Sequence, residues 1–264
     1  MSNDTFVFAG RLKHYANEWE KLTSDPNILD IVKHCHIELD DSFFKCSVYQ
    51  NTSFSQYQFS SLESVAIEKE IKKLLKIGVI VEARPHKNQF ISPIFLRPKK
   101  NGEYRMILNL KQFNTYIPYY HFKMETFEQA LTLIKKGMFM ASIDLTNAYY
   151  CVPIAEEHQI YLRFAWNDKL FQFTCFPNGL AFCPRKFSKL MKPVYSSLRN
   201  MGHINSGFID DSLLCGATYE ECVSNVTDTK NLMTKVGFII NHEKSVFIPS
   251  TTMTFLGNVI DSEK

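Results

Sequence analysis

The chain has 264 residues, 45% of them hydrophobic and 22% charged, which excludes global disorder and fits one large domain or two modest ones. Seven cysteines, an odd number with no C-x-x-C pair, exclude a disulfide framework and a zinc ribbon and point to reduced thiols in an intracellular protein. The net charge of +3 is unevenly placed: residues 84–136 carry ten Lys/Arg against three Asp/Glu, while the segments on either side are net acidic, a pattern suited to a polyanionic partner.

The N-terminal 60 residues lack clear periodicity. A mixed stretch from Arg11 to Glu20 predicts a short helix, and Ser24-Asp25-Pro26 opens a second one carrying Ile28, Leu29, Ile31 and Val32. His34-Cys35-His36 is followed by no second ligand pair at finger spacing, and neighbouring side chains diverge, so no zinc finger is expected. Residues 46–60, rich in Ser, Gln, Asn and aromatics, read as a linker or extended arm. No signal peptide and no apolar run near 18 residues is present, so membrane insertion is not expected.

From residue 60 the pattern sharpens. Ser60-Ser61-Leu62-Glu63 is a capping box, Ile67, Ile71, Leu74 and Leu75 follow at helical spacing, and Gly78 stops the helix before a strand through Val81. Residues 91–97 and 104–110 read as strands around Lys99-Lys100-Asn101-Gly102, a hairpin displaying two lysines beside Arg105. A helix opening with Glu125 is predicted over 125–135, and a strand over 138–145 ends in Asp144. Pro184 suits the first turn of a helix with an apolar stripe of Phe187, Leu190, Met191, Val194 and Leu198. Phe208–Asp211 and Ser212–Cys215 form two short strands around a tight turn. A helix over 218–236 opens with the capping box Thr218-x-x-Glu221, and residues 238–240, 245–248 and 254–260 read as strands. Helices and antiparallel strands segregated in this way predict an α+β class.

Two of these segments place acids in apolar, strand-prone surroundings: Ser142–Tyr149, with Asp144, and Phe208–Asp211, with Asp210 and Asp211. Burying an unpaired charge is costly. Two such segments that meet can offset the cost by sharing divalent metal, the arrangement that nucleotidyl transfer requires.

The ordered set Ser92-Pro93-Ile94, Pro98–Arg105, Asn109–Asn114, Asp144–Tyr149, Phe176–Leu180 with Pro184 and Phe187, Phe208–Asp211 and Phe255-Leu256-Gly257 resembles the reverse transcriptases over about residues 60–260. The finer resemblance is to LTR-type retroelement polymerases and, through Gly10–Lys13 and Leu22–Pro26, to the DIRS-type group. It implies a right-hand polymerase fold. An N-terminal extension would occupy 1–60 and the polymerase domain 61–264, with fingers at about 61–119 and 152–182 and palm at about 120–151 and 183–264. Thumb, connection and ribonuclease H regions are not matched, which implies a polyprotein fragment or degenerate copy.

The resemblance also implies roles. Asp144, Asp210 and Asp211 would hold two Mg²⁺ ions, with Asp211 the lesser ligand because adjacent residues on a strand point to opposite faces. Lys99 or Lys100, with Arg105, would contact the incoming deoxynucleoside triphosphate, and Tyr149 would exclude a 2′-hydroxyl. Asn178, standing where relatives carry glutamine, and Gly179 would approach the nucleotide. Lys244 would lie near the pyrophosphate, and Phe255, Leu256 and Gly257 would form the primer grip. The implied partners are an RNA or DNA template-primer and other polyprotein regions, in cytoplasm or nucleus. A different outcome is an inactive nucleic-acid-binding remnant. A polymerase copying RNA into RNA is disfavoured by Tyr149.

Overall fold

The computed structural model describes residues 8–45, 58–98 and 104–264. Lys99 and Lys100, and the linker expected from residue 46, lie outside or largely outside these residues. The described chain is α+β, with helices α1 (Ala16–Leu22), α2 (Pro26–His34), α3 (Asp41–Lys45), α4 (Ser61–Lys76), α5 (Phe127–Leu131), α6 (Cys183–Asn200) and α7 (Tyr219–Lys235). It divides into two compact units. One comprises residues 1–13, 33–120 and 149–183, the other residues 14–32, 121–148 and 184–264.

The first unit is built on strands β1 (Ile80–Ala83), β2 (Ile94–Pro98), β3 (Tyr104–Leu108), β5 (Arg163–Trp166) and β6 (Lys169–Phe173). β1, β6 and β5 form a three-stranded antiparallel sheet, and β2 pairs with β3 as a separate ribbon. The β5–β6 hairpin was not anticipated. Its signal lay in the turn Asn167-Asp168, where both residues take positive φ (45° and 59°), between apolar aromatic runs. Arg163 of β5 is 5% exposed and fully engaged, donating to Gln89, Gln172 and the Arg84 carbonyl. Buried polar groups persist only when paired in this way. α4 starts at the expected capping box, with Ser60 and Glu63 bonding reciprocally, and buries Ile67, Ile71 and Leu74. Phe43 of α3 packs among Phe90, Phe113, Tyr116 and Tyr161. His34 and His36, two residues apart, bring their rings within 5.2 Å while Cys35 between them is buried.

The second unit carries β4 (Phe139–Asp144), β7 (Ile204–Phe208), β8 (Asp211–Gly216) and β9 (Val246–Ser250) in a sheet of order β7-β8-β4-β9, and a hairpin of β10 (Thr252–Phe255) and β11 (Asn258–Asp261). α7 packs on the sheet. Met140, Leu213 and Cys215 join Ala130, Met253, Phe255 and Ile260 in one buried cluster. The predicted α6 stripe is buried throughout. Trp19 of α1 donates its indole N–H to the Val236 carbonyl (2.9 Å) and meets Phe238 edge-on. Residues 14–32 are thus folded into this unit.

Four predicted elements differ. The strand expected over 208–211 lies instead over Ile204–Phe208, and residues 209–210 form the turn before β8, because the left-handed backbone at Ile209 ends the strand. The helix expected over 125–135 is only α5, because Thr126 and Gln129 form the capping box that starts it, leaving Glu125 outside the helix. Residues 238–240 form only a single bridge, Ile240 to Leu145, and residues 254–260 fold back on themselves as the β10–β11 hairpin. The turn is Leu256-Gly257, with φ of 48° and 80°.

Candidate active site

The acidic residues meet at one end of the sheet in the second unit. Asp144 is the last residue of β4 and Asp211 the first of β8, and the two are direct cross-strand partners. Opposite residues on paired strands project from the same face, so both carboxylates do. Asp210 occupies the two-residue turn between β7 and β8, and its carbonyl accepts from the Leu145 N–H (2.9 Å). Register places Asp211, rather than the turn residue Asp210, directly opposite Asp144.

Burial first, and neighbouring negative charge second, raise two of these acids. Burial, with the Asp144 and Lys244 charges in opposition, holds the Asp210 carboxyl above its usual range. Burial and the charges of Asp210 and Asp144 push Asp211 up to about 6. Asp144 is 8% exposed, and its Oδ1 is buried without a hydrogen-bond partner. An orphaned carboxylate oxygen beside two further acids is costly unless a cation completes it. The donor set, all oxygen, suits Mg²⁺.

Around this cluster the backbone is tightly specified. The Asp144 N–H donates to Ser245 Oγ (3.0 Å), and its carbonyl accepts from the Asn241 N–H (2.8 Å). Asn241 Oδ1 in turn accepts from the N–H groups of Glu243 and Lys244. This turn brings Lys244 to the acids: its Nζ lies 3.5 Å from Asp144 Oδ2, with the lysine side chain 68% exposed. Sequence spacing alone could not distinguish that position from an ordinary surface lysine.

Ile209, between Phe208 and Asp210, takes φ of 57°. A β-branched residue in the left-handed region is strained and persists only when its surroundings over-determine it. Gly207 precedes this turn. A Cβ there would lie 2.2 Å from the Tyr195 ring, so glycine is required by close approach. The Tyr195 hydroxyl and Ser212 Oγ are 2.7 Å apart.

The remaining predicted residues fall in the first unit or away from the acids. Arg105 on β3 is exposed, directly opposite Arg97 on β2. Arg97 was not singled out from sequence. Like charges opposite each other are unfavourable unless an anion sits over them. Tyr149 lies in the short helical turn 148–151 with its ring edge-on to Phe176, 6.4 Å between centroids. Asn178 donates weakly to the Tyr150 hydroxyl (3.4 Å). Gly179 takes φ of 93°, and its carbonyl accepts from Asn114 Nδ2 (2.9 Å), whose Oδ1 accepts from the Ala181 N–H (2.9 Å). Asn114 thus braces the 178–181 loop on both sides, a role its place in the Asn109–Asn114 motif did not reveal. Of the expected primer grip, the Phe255 side chain is buried in the core and Leu256 packs against it, leaving Gly257 and the turn backbone at the surface.

Residues 97–260, more than half of the chain, match the model of a family described as reverse transcriptase (RNA-dependent DNA polymerase). The chain is 24% identical over 208 residues to a Pro-Pol polyprotein of Simian foamy virus type 1, which covers 79% of this chain and 17% of the polyprotein. It is 25% identical over 202 residues to a retrovirus-related Pol polyprotein from transposon opus of Drosophila melanogaster, covering 75% and 20% respectively. The chain therefore spans about a fifth of the length of these relatives. Its fold is similar to that of a foamy viral protease-reverse transcriptase solved in complex with an RNA/DNA hybrid, with a TM-score of 0.68, 24% identity, and 82% of this chain and 29% of the other covered.

Proposed function

Because the chain belongs to the reverse transcriptase family, we propose that it is the fingers-and-palm part of an LTR-type retroelement RNA-directed DNA polymerase, which adds deoxynucleotides to a primer 3′-hydroxyl on an RNA or DNA template. The observation that carries this reading is the convergence of Asp144, Asp210 and Asp211 at one sheet end, with a buried orphan oxygen on Asp144. The relatives are retroviral and transposon polyproteins, and the structural neighbour holds an RNA/DNA hybrid, which supports a template-primer as partner. Gly10–Lys13 and Leu22–Pro26 support a DIRS-type origin.

The three carboxylates would hold two Mg²⁺ ions, which when bound acidify the primer hydroxyl and neutralise the leaving pyrophosphate. Asp144 and Asp211 present their oxygens from opposed strands, and Asp210 adds a third acid from the turn. Lys244 Nζ lies beside Asp144 and would supply positive charge and a proton to the departing pyrophosphate. Arg97 and Arg105, with Lys99 or Lys100, supply cations for the triphosphate. Gly179 and Asn178 approach the nucleotide from a loop fixed by Asn114. The Tyr149 ring excludes the 2′-hydroxyl.

Primer extension by the 264-residue chain, with Mg²⁺ and deoxynucleotides on an RNA template, tests this reading. Incorporation that depends on Asp144 and Asp210 supports it. Salt-sensitive template-primer binding without incorporation at any divalent metal concentration would instead identify an inactive nucleic-acid-binding remnant.

A further inference from the structure

β7 is an edge strand: among the described residues, the sheet order β7-β8-β4-β9 leaves one side of it without a neighbouring strand. Two of the outward-facing backbone groups there are nonetheless satisfied, each by a side chain. Glu125 Oε2 accepts from the Gly207 N–H (2.8 Å) and from Ser206 Oγ (2.6 Å). Arg199 donates to the Asn205 carbonyl (3.0 Å) and, through Nε, to Asn205 Oδ1 (3.0 Å). The two side chains bond to each other, Arg199 Nη2 to Glu125 Oε1, at 3.0 Å. Together they present an acceptor to residue 207 and a donor to residue 205, which is what a neighbouring strand would present. Burial opposes ionisation of Glu125, but bonds from Ser206, Arg199 and Gly207 outweigh it and hold the carboxyl below its usual range.

The location gives this pair its consequence. Gly207 is two residues before Ile209, the strained residue, and three before Asp210. Apolar packing on that side of the hairpin is incomplete: the Tyr195 ring lies against Gly207, but a cavity of about 260 Å³ opens beside it, lined among others by Met124, Phe187, Met191, Tyr195 and Ile209. A strained turn beside a void needs directional restraint, and polar clamping supplies it.

We propose that Glu125 and Arg199 are positioning residues, acting as a surrogate strand that holds the β7–β8 turn, and so Asp210 and Asp211, in the geometry that binds metal. This rests on the polymerase reading above only for the consequence at the metal site. Glu125 touches no reacting group. It acts through the backbone of residues 205–207.

The test uses the 264-residue chain and two readouts: amide hydrogen exchange at residues 207–211 compared with β4, and Mn²⁺ binding followed by electron paramagnetic resonance with Asp144→Asn as control. Glu125→Ala is expected to speed exchange at 207–211 about tenfold, leave β4 unchanged, and weaken Mn²⁺ binding about tenfold. Glu125→Gln, which keeps an acceptor oxygen for Gly207, is expected to stay within about threefold of the parent. The double exchange Glu125→Arg with Arg199→Glu restores an ion pair but faces the Gly207 N–H with a cation, so it is expected to fail like the alanine variant.

Rescue by that exchange, or unchanged exchange and Mn²⁺ affinity in Glu125→Ala, overturns the proposal. If Glu125→Ala does not fold, the Gln variant and the exchange variant decide the matter by the same criteria. Absence of Asp144-dependent Mn²⁺ binding in the parent would refute the polymerase reading, while hydrogen exchange at 207–211 would still decide this one.

Discussion

Asp144 and Asp211 face each other across the β4–β8 pairing, and Lys244 stands 3.5 Å from the first of them as the nearest counter-charge. Three acids and one exposed lysine leave a local excess of negative charge. The fold tolerates that excess at a stability cost which bound metal would relieve.

The pH dependence follows from Asp211, whose folded value of about 6 lies above the ordinary 3.8. A raised carboxyl contributes stability that is complete below about pH 4 and is lost as pH rises through about 6. In metal-free buffer at pH 8, Asp211→Asn is expected to raise stability by about 1 kcal/mol, after allowing for solvent screening of a half-exposed group. Mg²⁺ is expected to raise the Tm of the parent above pH 6 and much less below pH 5. Melting curves with and without metal check both, and a destabilised Asp211→Asn protein would contradict the crowding account.

Asp144→Asn and Asp210→Asn are each expected to reduce incorporation to below about a hundredth of the parent, more than ~2.7 kcal/mol in barrier. Folding should survive, since removing one crowded charge relieves repulsion. Single-turnover primer extension beside circular dichroism separates the two effects. Substantial turnover in either variant would remove that acid from the metal site.

Arg97 and Arg105, opposed on the β2–β3 ribbon, are expected to act together on nucleotide phosphates. Arg97→Gln and Arg105→Gln should each raise KM for the deoxynucleotide about tenfold, with a smaller change in kcat. Template-primer binding by the parent should weaken steeply with salt as counterions are released. Salt-independent binding, or unchanged KM in both variants, would leave the ribbon as a solvated surface.

Tyr149→Ala is expected to increase ribonucleotide incorporation relative to deoxynucleotide, while Tyr149→Phe keeps the parent's selectivity because ring volume is the discriminating property. A displacement near 1 Å of the reacting phosphate costs about a hundredfold in rate, which sets the size of the effect. Selectivity ratios on one RNA template measure it. An alanine variant with an unchanged ratio would make Tyr149 a packing partner of Phe176 and no more.

Gly207→Ala is expected to destabilise the chain by about 1–3 kcal/mol, because the new Cβ would overlap the Tyr195 ring. Combining it with Tyr195→Ala should cost less than the sum of the two single changes, since the overlap is then removed. Strict additivity in denaturant unfolding would show that the glycine is needed for some other reason.

Much of the helical structure in both units, and the strand that carries Asp144, was legible locally. Capping boxes at Ser60 and Thr218, the α6 stripe and the apolar strand ending in Asp144 are short-range patterns that report on nearby backbone. Misreadings came where two local signals competed. Glu125 looked like a helix opener, but Thr126 with Gln129 is the better cap and leaves the carboxylate for β7. The β5–β6 hairpin was overlooked because its turn uses Asn-Asp in place of Asn-Gly, though both positions tolerate positive φ.

By itself the sequence determined the class, the order of the motifs and the two apolar segments that carry Asp144, Asp210 and Asp211, because motif spacing and hydrophobic period are properties of the chain. Only the tertiary structure decided that Asp211 faces Asp144, that Lys244 reaches Asp144, that Arg97 stands opposite Arg105, and that Glu125 and Arg199 bond to the open edge of β7. Those are polar contacts between residues distant in sequence or set by strand register. They carry no periodicity, and each depends on a pairing that exists only once the sheet has formed.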